Sequence, residues 1–160
     1  MNRTRILSID GGGIKGIVPA VVLLHLEKLL QNLSNNPSSR IHDYFDLFSG
    51  ASTGAIIIAG LLSPDNHNRP KYSSEEILDL YLNNGQIIFN SSLFQEIKSV
   101  SGIVNVKYDP EGLKSVFEKY FGKSELKDLL KPSLIPVYDL SRGKNYFFRT
   151  LRYTTQREDR

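Results

Sequence analysis

The pentapeptide Gly50-Ala51-Ser52-Thr53-Gly54 restricts the possible folds more than any other feature, because it stands directly between two apolar segments. Tyr44–Phe48, before it, predicts a strand that ends at Ser49-Gly50, and Ala55–Leu62, after it, predicts an apolar helix that begins at Thr53. Glycines on both sides of a serine suit a sharp turn from strand to helix, since they remove side chains that would collide there. The sequence therefore predicts a strand, a tight turn with Ser52 at its apex, and a helix.

A glycine-rich turn earlier in the chain, Asp10-Gly11-Gly12-Gly13-Ile14-Lys15-Gly16, follows another apolar segment, Arg5–Ile9. This segment predicts a buried strand, and Pro19 suits the first turn of the helix that comes next. Two such units in succession favour an α/β fold with a parallel sheet covered by helices on its faces. Because such sheets present their sites at the carboxyl ends of the strands, we expect the glycine turn to face Ser52.

The helix after this turn carries its polar residues on one arc, which predicts a solvated face. That arc consists of His25, Glu27, Lys28, Gln31 and Asn32. We expect the other faces to pack against the sheet through Val18, Val21, Val22, Leu26, Leu29 and Leu30. The stretch Asn32–Arg40, rich in Ser and Asn, predicts a surface loop.

Two further helices are predicted beyond the serine turn. Ser73 and Glu76 have the spacing of a capping box, so a helix begins there. Asp109-Pro110 starts the next helix, which Gly122 ends, whereas Asn90–Val106 shows no clear periodicity.

The last predicted element is a hairpin. Leu134–Leu140 and Asn145–Arg149 have the composition of strands, and the turn Ser141-Arg142-Gly143-Lys144 joins them. Basic residues gather in and after this hairpin, which favours a solvated strand and tail or, as the alternative, contact with an anionic membrane surface.

The composition fits one domain over residues 1–160, because 40% of the chain is hydrophobic. The absence of cysteine excludes disulfides, thiolate zinc sites and a cysteine nucleophile. A net charge of +3 does not indicate binding to nucleic acid. With no signal peptide visible and no apolar stretch near the roughly 20 residues that cross a bilayer, we expect a cytoplasmic chain with at most peripheral membrane contact.

The two glycine-rich motifs together suggest acyl-transfer chemistry. Ser52 is a candidate nucleophile, and backbone N–H groups of the glycine turn are candidate donors to a tetrahedral oxyanion. The same turn also matches the GxGxxG pattern of dinucleotide sites, which needs an acidic residue about 20 positions later. Gln31-Asn32-Leu33 occupies that place without a carboxylate.

These motifs resemble those of the patatin-like phospholipases over most of Arg5–Arg149. The resemblance includes the glycine turn, the GxSxG pentapeptide preceded by Tyr44-Phe45-Asp46, and the late segment from Leu134 to Leu140. It implies a three-layer α/β/α fold with a mainly parallel sheet, related to the catalytic domain of cytosolic phospholipase A2. It also implies hydrolysis of lipid or phospholipid acyl esters by a Ser-Asp dyad, without metal or other cofactor.

Carried over by position, the family motifs assign roles to individual residues. Ser52 would be the nucleophile, and Gly11, Gly12 and Gly13 would form the oxyanion hole. Lys15 matches a basic position in the loop, where it would hold a phosphate or the loop itself. Ala51 stands where the family often has threonine, a difference that leaves the chemistry unchanged.

A dyad also agrees with the positions of the three histidines. In the chain order of an α/β-hydrolase triad the histidine follows the serine, and only His67 does so here, in a loop close to the helix of Ser52 itself. We interpret His25 as a residue of the helix surface and His42 as part of a short polar turn. We expect no metal role for any of them.

The aspartate of the family's Ser-Asp dyad has no counterpart in this sequence. It lies in a downstream DG[GA] motif, whereas the only Asp-Gly pair of this chain is Asp10-Gly11. Asp139, at the end of a strand, is more simply structural. We therefore interpret the chain as the amino-terminal portion of a domain truncated before the dyad aspartate, with an uncovered apolar face around the hairpin. The alternatives are an impaired fragment or pseudoenzyme that binds lipid and a nucleotide-binding α/β module.

Overall fold

The structure, a computed structural model, describes residues 3–89 and 110–150 of the 160-residue chain. These residues form strands β1 (Ile6–Ile9), β2 (Leu47–Gly50), β3 (Ser133–Asp139) and β4 (Lys144–Arg149). They also form helices α1 (Ile17–Ser34), α2 (Thr53–Leu62), α3 (Ser74–Ile88) and α4 (Pro110–Phe121), with short 3-10 helices at Gly13–Gly16, Ile41–Asp43 and Leu126–Asp128. The stretch Asn90–Val106, Asp109 and the basic residues after Thr150 lie outside the described residues.

The strands form one sheet in the order β1-β2-β3-β4. β1 pairs with β2 and β2 with β3 in parallel, through pairs such as Ile9 with Gly50 and Ser49 with Leu134. β3 and β4 are antiparallel, which confirms the predicted hairpin. The helices pack on the face of the sheet that carries Ile9 and Phe48, which are buried, whereas Ile6 on the other face is 56% exposed. This mainly parallel sheet with packed helices confirms the α/β class and agrees with a partial α/β/α fold.

The core lies between the sheet and these helices. Phe48 from β2 and Ile57 and Ile58 from α2 are fully buried, as is Tyr81 from α3. The capping box at Ser73 is present, because its backbone N–H donates to the Glu76 carboxylate over 2.8 Å and its hydroxyl accepts from the Glu76 N–H. This capping box therefore gives α3 its predicted start, and α2 begins at Thr53 as predicted.

The structure corrects the predicted faces of α1. Glu27, assigned to the solvated arc, is only 3% exposed, whereas Val18 and Val22, assigned to packing, are 65% and 60% exposed. The Glu27 carboxylate accepts hydrogen bonds from the backbone N–H groups of Ile41 and Ser74 and from the Ser74 hydroxyl. Burial of this carboxylate is therefore compensated by three donors.

The other apolar residues predicted to pack on the sheet are buried to different extents. Val21, Leu26 and Leu30 are partly buried, but Leu29 is 54% exposed. The helix also continues to Ser34, three residues into the predicted loop, and Asn35 ends it in the left-handed conformation with φ 49°. Asparagine tolerates that conformation better than most residues, so it suits the end of a helix.

The segment before the serine turn also differs from the prediction. The strand begins at Leu47 rather than Tyr44, and the polar turn expected at His42 is a 3-10 helix that buries His42 to 8% exposure. Phe45 packs edge-on against Phe48, so its apolar character reflects core contact rather than strand pairing.

The hairpin exposes apolar side chains, as the sequence suggests. On β3 and its turn Tyr138 and Leu140 are exposed, Leu140 to 87%, and on β4 Tyr146, Phe147 and Phe148 are about half exposed. Among the described helices none has both the length and the apolar character needed to cross a membrane.

Candidate active site

Ser52 lies at the apex of the turn between β2 and α2 and is exposed. Its backbone has φ 51° and ψ −118°, a conformation that a non-glycine residue adopts at a cost of roughly 1–3 kcal/mol. The turn is held by the N–H of Gly54, which donates to the Ala51 carbonyl over 2.8 Å, and by that of Ala55, which donates to the Ser52 carbonyl over 2.9 Å. Strain at an exposed serine between a strand and a helix is the geometry expected of a nucleophile turn.

The two glycines of the pentapeptide are required by close contacts. A Cβ atom at Gly50 would stand 2.6 Å from the carbonyl carbon and oxygen of Gly54. A Cβ atom at Gly54 would collide with the carbonyl oxygen of Ile9. The first turn of α2 therefore lies directly against the end of β1, which only a residue without a side chain permits.

The glycine turn and the serine turn are adjacent, because β1 and β2 are paired neighbours. The Ala51 N–H donates to the Ile9 carbonyl over 3.2 Å. A Cβ atom at Gly11 would lie 3.0 Å from both the Ser52 Cβ and the Ala51 carbonyl oxygen. The predicted proximity of the two motifs is therefore present, and the backbone of Gly11 borders the Ser52 side chain.

The remainder of the glycine turn folds into the 3-10 helix Gly13–Gly16. Gly13 has φ 59°, which lets the chain reverse after β1, and the Lys15 N–H donates to the Gly12 carbonyl over 3.2 Å. Asp10, Gly11, Gly12 and Lys15 are exposed and line a common cleft of about 470 Å³. Ile14 is 45% exposed.

Thr53 and Tyr81 form a buried polar pair behind the serine. The Tyr81 hydroxyl donates to the Thr53 carbonyl over 2.8 Å and accepts from the Thr53 hydroxyl over 2.7 Å. Burial raises the pKa of Tyr81 to about 12, although the hydrogen bond with Thr53 works in the opposite direction. A Cβ atom at Gly16 would contact both side chains. The spacing that predicts α3 does not single out Tyr81 as a polar partner, so this pair was not predicted.

The histidines lie elsewhere. His25 is exposed on α1. His42 precedes β2 and His67 follows α2, whose ten residues run about 15 Å back from the serine turn. Both therefore lie toward the opposite end of the sheet, where Arg69 pairs with Asp43 over 2.7 Å.

Asp139 has a structural contact. Its carboxylate accepts from the backbone N–H groups of Ser141 and Arg142, over 3.0 and 3.2 Å, at the hairpin turn. An Asp side chain that accepts from the next residues of a turn stabilises that turn. The Asp139 carboxylate therefore stabilises the hairpin turn, which agrees with a structural role.

Comparison with known proteins is consistent with this geometry. A family model described as patatin-like phospholipase matches residues 7–160. Patatin group M-3 from Solanum tuberosum and patatin-17 from Solanum cardiophyllum are each 37% identical over 143 residues, and patatin-16 from Solanum tuberosum is 38% identical over the same length. Each alignment covers 89% of this chain but 35% of the relative, so the chain spans about a third of their length.

Proposed function

We propose, because this chain belongs to the patatin-like phospholipase family, that Ser52 is the nucleophile of a lipid acyl hydrolase. The observation that carries the proposal is the exposed, strained Ser52 directly beside Gly11 at the end of the neighbouring strand. The substrate class is a carboxylic ester of a lipid or phospholipid, and Gly11, Gly12 and Gly13 form the oxyanion hole.

The proposed chemistry begins with attack of the Ser52 Oγ on the ester carbonyl. The carbonyl π electrons move to oxygen, and backbone N–H groups of the glycine turn stabilise the resulting oxyanion. As this intermediate collapses, the proton lost from the Ser52 hydroxyl is delivered to the leaving oxygen, so that the alcohol departs and an acyl-serine remains. Water then attacks the acyl-serine, which releases the fatty acid and returns a proton to Ser52. The amino terminus of α2 adds a favourable partial positive charge at Ser52.

The proposed chemistry needs a general base, and residues 1–160 do not contain the downstream DG[GA] motif whose aspartate has this role in the family. The only Asp-Gly pair of the chain, Asp10-Gly11, belongs to the glycine turn. A serine hydroxyl without a base stays protonated and is a weak nucleophile. We therefore expect chain 1–160 to hydrolyse an activated aryl ester slowly and a phospholipid barely, because good leaving groups need less acid–base assistance.

Contact with the substrate surface is proposed to be peripheral, through the β3–β4 hairpin. Leu134 pairs with Ser49, and β3 then continues five residues to Asp139, which carries the hairpin about 17 Å beyond that level on the side of Ser52. Its tip combines the exposed Leu140 with exposed Arg142 and Lys144. An apolar residue beside cations suits an anionic lipid surface.

The membrane proposal is tested by sedimentation with vesicles of phosphatidylcholine and phosphatidylserine. Leu140→Ser with Arg142→Glu should reduce the bound fraction several-fold, whereas Lys28→Glu on α1 should not. Equal binding of all variants would contradict a role for the hairpin.

The nucleophile is tested by labelling with a fluorophosphonate and by burst release from an aryl ester. Ser52→Ala should abolish both signals. Ser141→Ala removes another exposed serine and should leave both unchanged. Labelling that persists in the Ser52→Ala variant would overturn the proposal. Absence of labelling in the unmodified chain would instead favour a lipid-binding protein without catalysis.

A further inference from the structure

An apolar groove lies between α2, α4 and the 3-10 helix Leu126–Asp128, with a volume of about 590 Å³. One wall is α2, through Ala55, Ile56 and Ala59. The other is α4, through Phe117 and Phe121. A volume of this size falls within the roughly 300–1,000 Å³ range of small-molecule sites.

The groove begins beside the serine turn. The N–H groups of Ala55 and Ile56 donate to the Ser52 carbonyl over 2.9 and 3.4 Å, so its first lining residues belong to the same helical turn. Ala59 lies one turn further along the same side of α2, because residues four apart share a face. From Ala55 to Ser63, the last lining residue on this side, the groove follows α2 for about 12 Å.

We propose that this groove binds the acyl chain of the ester that acylates Ser52. This inference rests on the proposed function, and it adds where the acyl chain of the substrate binds. The ester carbonyl lies at the Gly11 backbone, and the chain runs from there along Ala55 and Ala59 toward Ser63. The small alanine side chains leave room on α2, and the phenylalanines of α4 cover the opposite side.

The cleft at β1 is a poorer site for hydrocarbon, although it also touches the glycine turn. It is lined by Leu7, Ser8 and Ile9 of a strand that, within the described residues, pairs on one side only. An edge strand presents N–H and C=O groups that a hydrocarbon cannot satisfy. The two main walls of the α2–α4 groove are helices, whose backbone groups are largely bonded internally, and Ile135 of β3 adds a further apolar side chain to the lining.

The proposal predicts that binding affinity depends on the length of the acyl chain. Each methylene transferred from water into an apolar site strengthens binding about fourfold. Affinity should therefore rise from octanoic to dodecanoic acid and level off once the groove is full. A bulky side chain at Ala59 should remove this gain by blocking the groove halfway.

The test uses chain 1–160 carrying Ser52→Ala, which binds without reacting, and titrates the fluorescent fatty acid cis-parinaric acid. Ala59→Leu and Ala59→Trp should weaken binding at least tenfold, the second more than the first. Leu82→Trp, which places the same bulk on an exposed position of α3, should leave binding unchanged. Binding that is unaffected by both Ala59 substitutions would overturn the proposal.

A kinetic arm uses the chain with Ser52 intact and compares aryl esters of butanoic and dodecanoic acid. Ala59→Leu should slow acylation by the dodecanoyl ester several-fold while leaving the butanoyl ester unchanged. Equal slowing of both esters would contradict a groove for the chain. If the unmodified chain shows no burst, the catalytic proposal fails, and the titration still decides whether the groove binds hydrocarbon.

Discussion

The Tyr81 hydroxyl forms hydrogen bonds with the side-chain hydroxyl and the backbone carbonyl of Thr53, the residue that follows Ser52. Tyr81 belongs to α3, so the pair fixes the first turn of α2 to a second helix. Both side chains are almost fully buried, and neither group has access to bulk water as a substitute partner. The position of Ser52 therefore depends on a contact between Thr53 and Tyr81, which are 28 residues apart in the sequence.

Tyr81→Phe should destabilise the chain by about 1–3 kcal/mol, because it leaves the buried Thr53 hydroxyl without this partner. It should also slow fluorophosphonate labelling of Ser52. Tyr72→Phe is the matched control, since the Tyr72 hydroxyl also donates to a carbonyl, that of Tyr120, at a distance from the serine turn. Urea unfolding and labelling rates measure the two effects. Equal slowing of labelling by both substitutions would show that Tyr81 acts through general stability alone.

Replacement of Ser52 should reveal the strain of its backbone. Glycine adopts positive φ without steric cost, whereas alanine does not. We expect Ser52→Gly to be more stable than Ser52→Ala by about 1 kcal/mol. Thermal unfolding of the two variants, which both lack the hydroxyl, measures the difference. A less stable glycine variant would mean that the turn relaxes when the serine is removed.

Glu27→Gln tests the buried carboxylate on α1. An amide supplies one acceptor oxygen and turns its NH2 group toward the donors from Ile41 and Ser74, so we expect a loss of about 1.5–3 kcal/mol. Glu75→Gln is the control. Glu75 lies on the surface, 3.7 Å from Lys28, and its loss should change stability by less than about 0.5 kcal/mol. Similar urea midpoints for the two variants would show that Glu27 is easily replaced.

Stability should fall as the solution becomes acidic, in part because of His42. Burial lowers the pKa of His42 below its ordinary value of 6.5, the charge of Asp43 opposes this shift, and Arg69 adds to it. The unfolded chain therefore takes up the proton first, and the free energy of unfolding decreases as pH falls below about 6.5 until the lowered native pKa is passed.

His42→Gln should make that decrease shallower, and His25→Gln, at an exposed position, should leave it unchanged. Urea unfolding between about pH 7.5 and pH 5 measures both slopes. A wild-type chain that gains stability over this range would contradict the sign of the shift.

The sequence predicted the two glycine-rich turns, their meeting at the carboxyl ends of parallel strands, and the hairpin, because each rests on local chemistry or on the geometry of parallel strands. It did not predict which face of α1 packs. Apolar residues occur on several faces of that helix, so contacts with other elements determine which face is buried. The backbone N–H groups of Ile41 and Ser74 stabilise the Glu27 carboxylate in the interior. Tyr81 was missed as a polar partner for the same reason, since its contact with Thr53 depends on how two helices meet.

The contact between Gly54 and the Ile9 carbonyl also bears on protein synthesis. β1, α1, β2 and α2 are consecutive, and a domain folds as one unit, so this contact has to form together with the rest of the sheet. A side chain at Gly54 would separate β1 from α2 in the folding domain and leave Phe48 and Ile57 open to aggregation and chaperone capture. The first effect of such a substitution should therefore be a lower yield of folded protein.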